Sequence, residues 1–244
     1  MIKRIFISCL LLLTAAYFAV AVTVFNCKPV DRIAKGLELT IADSSSYRFI
    51  SYEEVQALLK RKKMHPVGKA QKDINIRNIE DEVTKHPFVR KAECYITSGG
   101  NVRIDIAQRI PLIRIMSGNG DDYYIDNEGK IMPAGKKAIH VAIATGHIDR
   151  KFAQNELFQI GQYLYEDDFW RSQVQQINVT SKNEIELVPR AGNHILFLGK
   201  AENMKEKFHK LRTFYEEALN RVGWNKYNRI SIEFSNQIIC TKKE

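Results

Sequence analysis

Cysteine is scarce in this chain, with 4 among 244 residues: Cys9, Cys27, Cys94 and Cys240. No two are spaced as C-x-x-C, which argues against a zinc knuckle, a dithiol redox motif and a disulfide-dense scaffold. Whether Cys94 and Cys240 meet is left open by sequence, and two separate buried thiols are the simpler expectation. Catalytic signatures are missing too: there is no H-E-x-x-H, no G-x-S-x-G and no G-x-x-x-x-G-K-S/T. Of the six histidines, His140 and His147 are the nearest pair, but no carboxylate or cysteine joins them at ligand spacing. Asp121-Asp122 and Asp167-Asp168 each lie beside a turn or helix end, where aspartate satisfies local backbone amides. Asn178-Val179-Thr180 fits a glycosylation pattern but falls inside a predicted strand. There is no internal repeat and no long low-complexity tract. Neither an enzyme nor a cofactor or metal site is expected.

Dense charge is equally rare. The net charge of +9 is scattered, and Lys60-Arg61-Lys62-Lys63 is the one concentrated basic run. It falls where a helix should end, so a solvated terminus facing the negative end of the helix dipole is the first reading. Contact with anionic lipid headgroups is the second. Nucleic acid is a poor match, because no basic stripe is interleaved with exposed aromatics.

What the chain does have is apolar content, 45% hydrophobic residues, enough for one or two cores. Mean hydropathy is only -0.29, so any membrane segment must be local. From Ile5 to Phe25 there is no charged residue. As a helix, at about 1.5 Å per residue, this run reaches roughly 30 Å, the thickness of a bilayer core. A cleaved signal peptide competes, since Ala19-Val20-Ala21 is an A-x-A pattern, although the run continues through Val22, Val24 and Phe25. A lipoprotein signal ending at Cys27 fits less well, because Asn26 stands where a small residue belongs. Basic residues flank the run on both sides, so the orientation bias is weak. The four-residue head 1–4 favours an anchor over 5–25 with its amino terminus inside.

Residues 26–36 read as a linker. Leu37–Ile41 is a strand candidate, followed by the loop Asp43-Ser44-Ser45-Ser46. Ser51 and Glu54 have capping-box spacing, Ile50 and Val55 stand at staple positions, and Val55, Leu58 and Leu59 form an apolar helical face. A second helix starts near Asn75, with Ile76, Ile79 and Val83 on one face, and stops before Pro87. A hairpin follows: Ala92, Cys94 and Ile96 alternate with polar residues, Ser98-Gly99-Gly100-Asn101 turns the chain, and Val102, Ile104 and Ile106 alternate back. Pro111 marks a junction. Beyond it come a hairpin around Asp126-Asn127-Glu128-Gly129, a strand over Ala138–Ala144 and a helix through Leu157, Ile160 and Leu164. Strands over Gln175–Val179, Glu184–Val188 and His194–Leu198 follow. A long helix presents Met204, Phe208, Leu211, Tyr215 and Ala218. The chain closes on alternating Ile230, Ile232 and Phe234, a bend at Ser235-Asn236, then Ile238-Ile239. A late strand near a free end is a natural sheet edge.

In that order the segments resemble the bacterial cell-division family FtsQ, or DivIB. His86-Pro87-Phe88-Val89-Arg90-Lys91-Ala92 is similar to the family's entry into its POTRA hairpin. Val102-Arg103-Ile104-Asp105-Ile106 with Arg109-Ile110-Pro111 is similar to its I-x-V-x-E-R-x-P junction. Tyr124–Lys130 resembles the aspartate–glycine turn opening its β domain. Leu196-Phe197-Leu198-Gly199, the helix from Met204 and Arg229–Phe234 complete the series. Two departures stand out: the head is short, and Gln108 replaces the usual acid before Arg109.

The resemblance implies an α+β chain with one transmembrane helix, a POTRA domain of β-α-α-β-β order over 37–111, and a β-rich domain over 112–244 ending in an edge strand. It implies a non-catalytic divisome scaffold of the inner membrane with most of the chain outside the cytoplasm. Its partners would be FtsB-like and FtsL-like single-span proteins and, through them, the septal peptidoglycan synthases. Carried over by position, the partner contact falls on Phe234, Ser235, Asn236, Gln237, Ile238 and Ile239. The competing readings are a POTRA-bearing chaperone or assembly factor for envelope proteins, and an anchored cell-wall enzyme.

Overall fold

The computed structural model describes residues 2–25, 32–42, 49–135 and 139–243, and within the first helix the side chains of 10–21. The chain forms two compact units that interleave in sequence. One comprises Met1–Thr40, Tyr52–Val83 and Ala92–Asp105; the other comprises Ile41–Ser51, Thr84–Lys91 and Ile106–Glu244.

The first unit opens with helix α1 (Ile2–Phe25), whose side chains from Leu10 to Val20 are exposed. Among the described residues no helix is long and apolar enough to cross a membrane. The order that follows is β1 (Leu37–Ala42), α2 (Tyr52–Arg61), α3 (Ile76–Thr84), β2 (Val89–Ile96) and β3 (Val102–Gln108), the β-α-α-β-β sequence expected. The three strands pair in the order β1-β3-β2. Val55 and Leu59 of α2, and Ile79 and Val83 of α3, are buried at the i, i+4 spacing that stacks side chains on one helical face. Ala92 and Cys94 of β2 and Val102 and Ile104 of β3 are buried at every second position. The hairpin closes by Thr97 N–H to Asn101 C=O (2.8 Å) and Gly100 N–H to Thr97 C=O (2.9 Å), with Gly100 at φ +89°.

Helix α2 ends in paired bonds from Met64 N–H to Leu59 C=O (2.8 Å) and from Lys63 N–H to Lys60 C=O (3.0 Å). This is the Schellman arrangement, and Lys63, at φ +58°, occupies the left-handed position that usually holds glycine. Of the stretch read as a linker, residues 32–36 are bonded into this unit. Ala34 is buried, its N–H donates to Lys69 C=O (2.9 Å) and its C=O accepts from Gly68 N–H (2.9 Å), while Gln71 N–H donates to Arg32 C=O (2.8 Å). The loop Asp43–Ser46 lies outside the described residues.

The second unit is built on a nine-stranded sheet in the order β12-β11-β10-β9-β8-β7-β4-β5-β6. Its elements begin with β4 (Pro111–Ser117), β5 (Asp122–Asp126), β6 (Ile131–Pro133) and β7 (Ala142–Gly146). A continuous helical stretch follows: α4 (Arg150–Phe152), a π turn (Ala153–Leu157) and α5 (Phe158–Glu166). Then come α6 (Asp168–Gln173), β8 (Val174–Val179), β9 (Ile185–Pro189) and β10 (Ile195–Gly199). Helix α7 (Met204–Phe214) continues through a π segment (Tyr215–Leu219) into α8 (Asn220–Val222), before β11 (Tyr227–Ser231) and β12 (Ile239–Lys242). Pairs β4–β7, β7–β8 and β10–β11 are parallel. Parallel neighbours need crossovers, and the helical stretches between β7 and β8 and between β10 and β11 supply two of them.

Four details differ from the sequence reading. Strand β7 begins at Ala142 rather than Ala138, and residues 136–138 lie outside the described set. Helix α6 was not expected; Asp167 caps it, its carboxylate accepting from Phe169 N–H (2.9 Å) and Trp170 N–H (3.2 Å). Asp122 does not serve backbone amides but forms a bidentate pair with Arg114 across β4–β5 (2.9 and 2.7 Å). On the long helix the buried series is Met204, Phe208, Leu211, Tyr215 and Leu219, while Ala218 is half-buried. Leu219 stands four residues after Tyr215, at the end of the π segment, and shares its buried face.

Candidate interaction edge

The carboxyl-terminal end of the sheet is where the expected partner residues lie. Strand β12 pairs antiparallel with β11 on one side (Ile230 opposite Cys240, Ser231 opposite Ile239) and is the terminal strand of the sheet. Among the described residues no strand pairs with its other side, the feature that lets an edge accept a further strand. The opposite edge differs: β6 is three residues long and ends in Pro133, which has no N–H.

Strand β11 ends at Ser231, sooner than the Ile230, Ile232, Phe234 alternation suggests. Ile232 is buried, and its N–H donates to Phe197 C=O (2.9 Å). Phe234 lies past the strand, 47% exposed, and Ile239 at the start of β12 is 46% exposed. Neither fills the core. Ser235, Asn236 and Gln237 between them are exposed, whereas Ile238 and Cys240 are half-buried and pack on the core cluster. The six predicted residues thus form one exposed bend and strand start, seated by Ile238.

A lysine that sequence reasoning missed fixes this bend. Lys210 of α7 donates its ammonium to Phe234 C=O, to Ser235 C=O (3.1 Å) and to Gln237 C=O (2.8 Å). Three carbonyls converging on one cation define the backbone path from 234 to 237. No local pattern reveals Lys210, because its partners lie more than twenty residues downstream. One helical turn earlier, Lys207 donates to Leu198 C=O (2.7 Å) and Lys200 C=O (2.8 Å). Burial pushes its ammonium below the usual lysine range, opposed by the carboxylates of Glu202 and Glu233. Glu233 lies over Gly199, where a Cβ would meet Glu233 Cγ at 3.0 Å.

Beside the bend, Thr213, Phe214, Glu217, Ala218 and Ile238 line an open groove of about 470 Å³. Below it lies an aromatic cluster: the Trp170 ring is 5.2 Å from Phe208 and 5.7 Å from Tyr215, and Tyr215 is 5.0 Å from Trp224. Tyr215 Oη and His194 Nε2 are 2.7 Å apart in full burial. Burial depresses the His194 imidazole, and the Trp224 backbone only partly offsets this. On β11, Arg229 pairs with Glu186 (2.9 Å) and covers the Phe197 ring at 4.4 Å.

Among the described residues no group of three or more His, Cys, Asp or Glu is placed to hold a metal ion. Cys94 and Cys240 are both free thiols; burial pushes Cys94 up to about 12 and Cys240 upward. The site is therefore one of backbone edge, exposed apolar side chains and a lysine clamp, suited to binding a polypeptide.

A family model described as FtsQ/DivIB, C-terminal related, matches residues 110–241, and a POTRA-like domain model matches residues 32–107. The cell division protein FtsQ of Rhodothermus marinus is 26% identical over 188 residues, covering 72% of this chain and 68% of the relative.

Proposed function

The chain belongs to the FtsQ/DivIB family, and from that premise we propose that it is a non-catalytic scaffold of the bacterial divisome. In this reading residues 5–25 are a single-pass anchor in the inner membrane, with residues 1–4 in the cytoplasm and the rest outside it. Residues 37–111 are the POTRA domain and 112–244 the β domain. FtsB-like and FtsL-like single-span proteins are its direct partners, and through them it helps recruit and regulate septal peptidoglycan synthesis.

The single observation that carries the proposal is the outer side of β12, which no described strand pairs, preceded by an exposed bend whose backbone Lys210 holds. A partner segment adding alongside β12 gains main-chain hydrogen bonds from the strand. Phe234 and Ile239 supply apolar contact at the two ends of the bend. Exposed aromatic and aliphatic side chains flanking an open edge are a poor surface to leave in water and a good one to bury in a complex.

The test is co-purification of the full-length chain with its host's FtsB-like protein from detergent, comparing wild type with Phe234→Ala. Wild type should capture the partner and the variant, equally well folded, should lose most of it. Failure of wild type to bind would sink the assignment of the partner.

A further inference from the structure

The first unit carries a second surface, at the point where the chain enters it. Residues 60–73 hold six basic side chains, Lys60, Arg61, Lys62, Lys63, Lys69 and Lys72, against the single acid Asp73, and all seven are exposed. Lys62 pairs with Glu82 at 2.7 Å. The run continues past the end of α2 into a loop that is bonded back to residues 32–34 by the Ala34, Gly68, Lys69 and Gln71 backbone bonds given above. Ile33 and Ala70 form a bridge, and Lys69 Nζ donates to Lys63 C=O (3.0 Å), so the two basic segments are tied to each other. Two apolar side chains stand out of this basic ground: Ile33, 57% exposed, and Val67, 40% exposed. The positive field is felt locally, for His65 is depressed first by burial and then by Lys60 and Lys69.

We infer that this loop, with Ile33, is a docking surface for the anionic phosphate headgroups of the bilayer in which the chain is anchored. The inference rests on the anchor reading of residues 5–25, and three observations support it. First, charge: clustered lysines beside a membrane are each attracted to anionic lipid by about 1 kcal/mol, a roughly 5-fold gain in docking. Second, reach: residues 26–31 separate Phe25 from Arg32, and even fully extended they allow roughly 25 Å, so the loop is tethered close to the headgroup layer. Third, composition: exposed aliphatic side chains among lysines can enter the headgroup boundary while the ammonium groups meet phosphate.

The experiment places the full-length chain in nanodiscs of pure phosphatidylcholine and in nanodiscs rich in phosphatidylglycerol. Amide hydrogen exchange is then followed over residues 32–35 and 60–73, at low and high salt. Protection of these segments should rise in the anionic discs by at least about 5-fold and fade at high salt as screening grows. Lys69→Gln should cut that gain about 5-fold. Lys63→Gly should do the same while leaving the fold as stable or more so, which separates lost contact from lost folding. A chain that incorporates into both discs with identical exchange overturns the inference alone. A chain that does not incorporate overturns the anchor reading, and the inference with it.

Discussion

Arg109 and Asp126 form a partly buried ion pair, Nη1 to Oδ2 at 2.8 Å, with the carboxylate side chain 1% exposed and the guanidinium 19%. The other oxygen of Asp126 accepts from Glu128 N–H (2.9 Å) and Lys130 N–H (2.7 Å), so one carboxylate shapes the β5–β6 turn and holds the strand connection before β4. The arginine–proline junction and the aspartate–glycine turn, distant in sequence, are thus two halves of one interaction. Removing Asp126 takes the acceptor from two turn amides and the partner from the half-buried guanidinium. Asp126→Ala should lower unfolding free energy by about 3–5 kcal/mol, read from a urea midpoint. Loss below 1 kcal/mol would show that the pair is not structural.

Gln108, the departure from the family's acid, has its own task. Its Oε1 accepts from Phe49 N–H (2.9 Å) and Ile50 N–H (3.3 Å) in a buried setting. Gln108→Leu leaves both amides without that acceptor and should cost about 1–3 kcal/mol. A variant as stable as wild type would mean that water replaces the side chain.

The Lys210 clamp predicts a split between stability and binding. Lys210→Met keeps the aliphatic stem on α7 but frees three carbonyls of the 234–237 bend. Thermal stability should change little, while affinity for the FtsB-like partner should fall by about tenfold, as expected for a lost charge-assisted anchor. Calorimetry on the pair would decide it, and unchanged affinity would assign Lys210 to the fold alone.

The buried His194–Tyr215 pair gives a pH dependence of definite sign. The folded imidazole is depressed below its ordinary value of 6.5 by burial. Above 6.5 it is neutral in both states. Below 6.5 the unfolded chain takes up a proton that the folded chain resists, so stability falls as pH drops through the folded value. His65 is depressed as well and acts with the same sign. The readout is therefore the difference between wild type and His194→Gln, whose stability should decline less steeply between pH 6.5 and the carboxylate range. Parallel curves would exclude His194 as the source.

Gly146 permits a close backbone approach. At φ +102°, a Cβ there would sit 2.1 Å from Val179 C=O, the residue opposite in the parallel β7–β8 pair. Backbone cannot rotate away as a side chain can. Gly146→Ala should cost roughly 3 kcal/mol or more and reduce the soluble yield.

The hairpins and amphipathic helices were readable because their information is local: β2 and β3 alternate with period two, and α2 and α3 repeat with helical spacing. The same logic placed β8, β9, β10 and the body of α7. It failed where geometry depends on distant contacts or on backbone irregularity. Leu219 rather than Ala218 takes the inner face, a choice between i+3 and i+4 from Tyr215 that spacing alone leaves open. Helix α6 is too short to show an apolar repeat, although its cap, Asp167, was readable as an aspartate serving backbone amides beside a turn or helix end. At the candidate edge, Phe234 and Ile239 were visible as terminal apolar residues. Lys210 was not, since nothing near it in sequence marks a cation that closes a bend on another element.

The two ends of the large sheet are unequal, one stopped by Pro133 after three residues and the other open along β12. This inequality limits stoichiometry. A sheet that grows from one end accepts one added strand per chain. Two copies meeting through β12 would satisfy each other and leave no free end for a third. Strand addition at β12 therefore uses up the long end of this sheet, and through this sheet it yields closed pairs or one-to-one complexes.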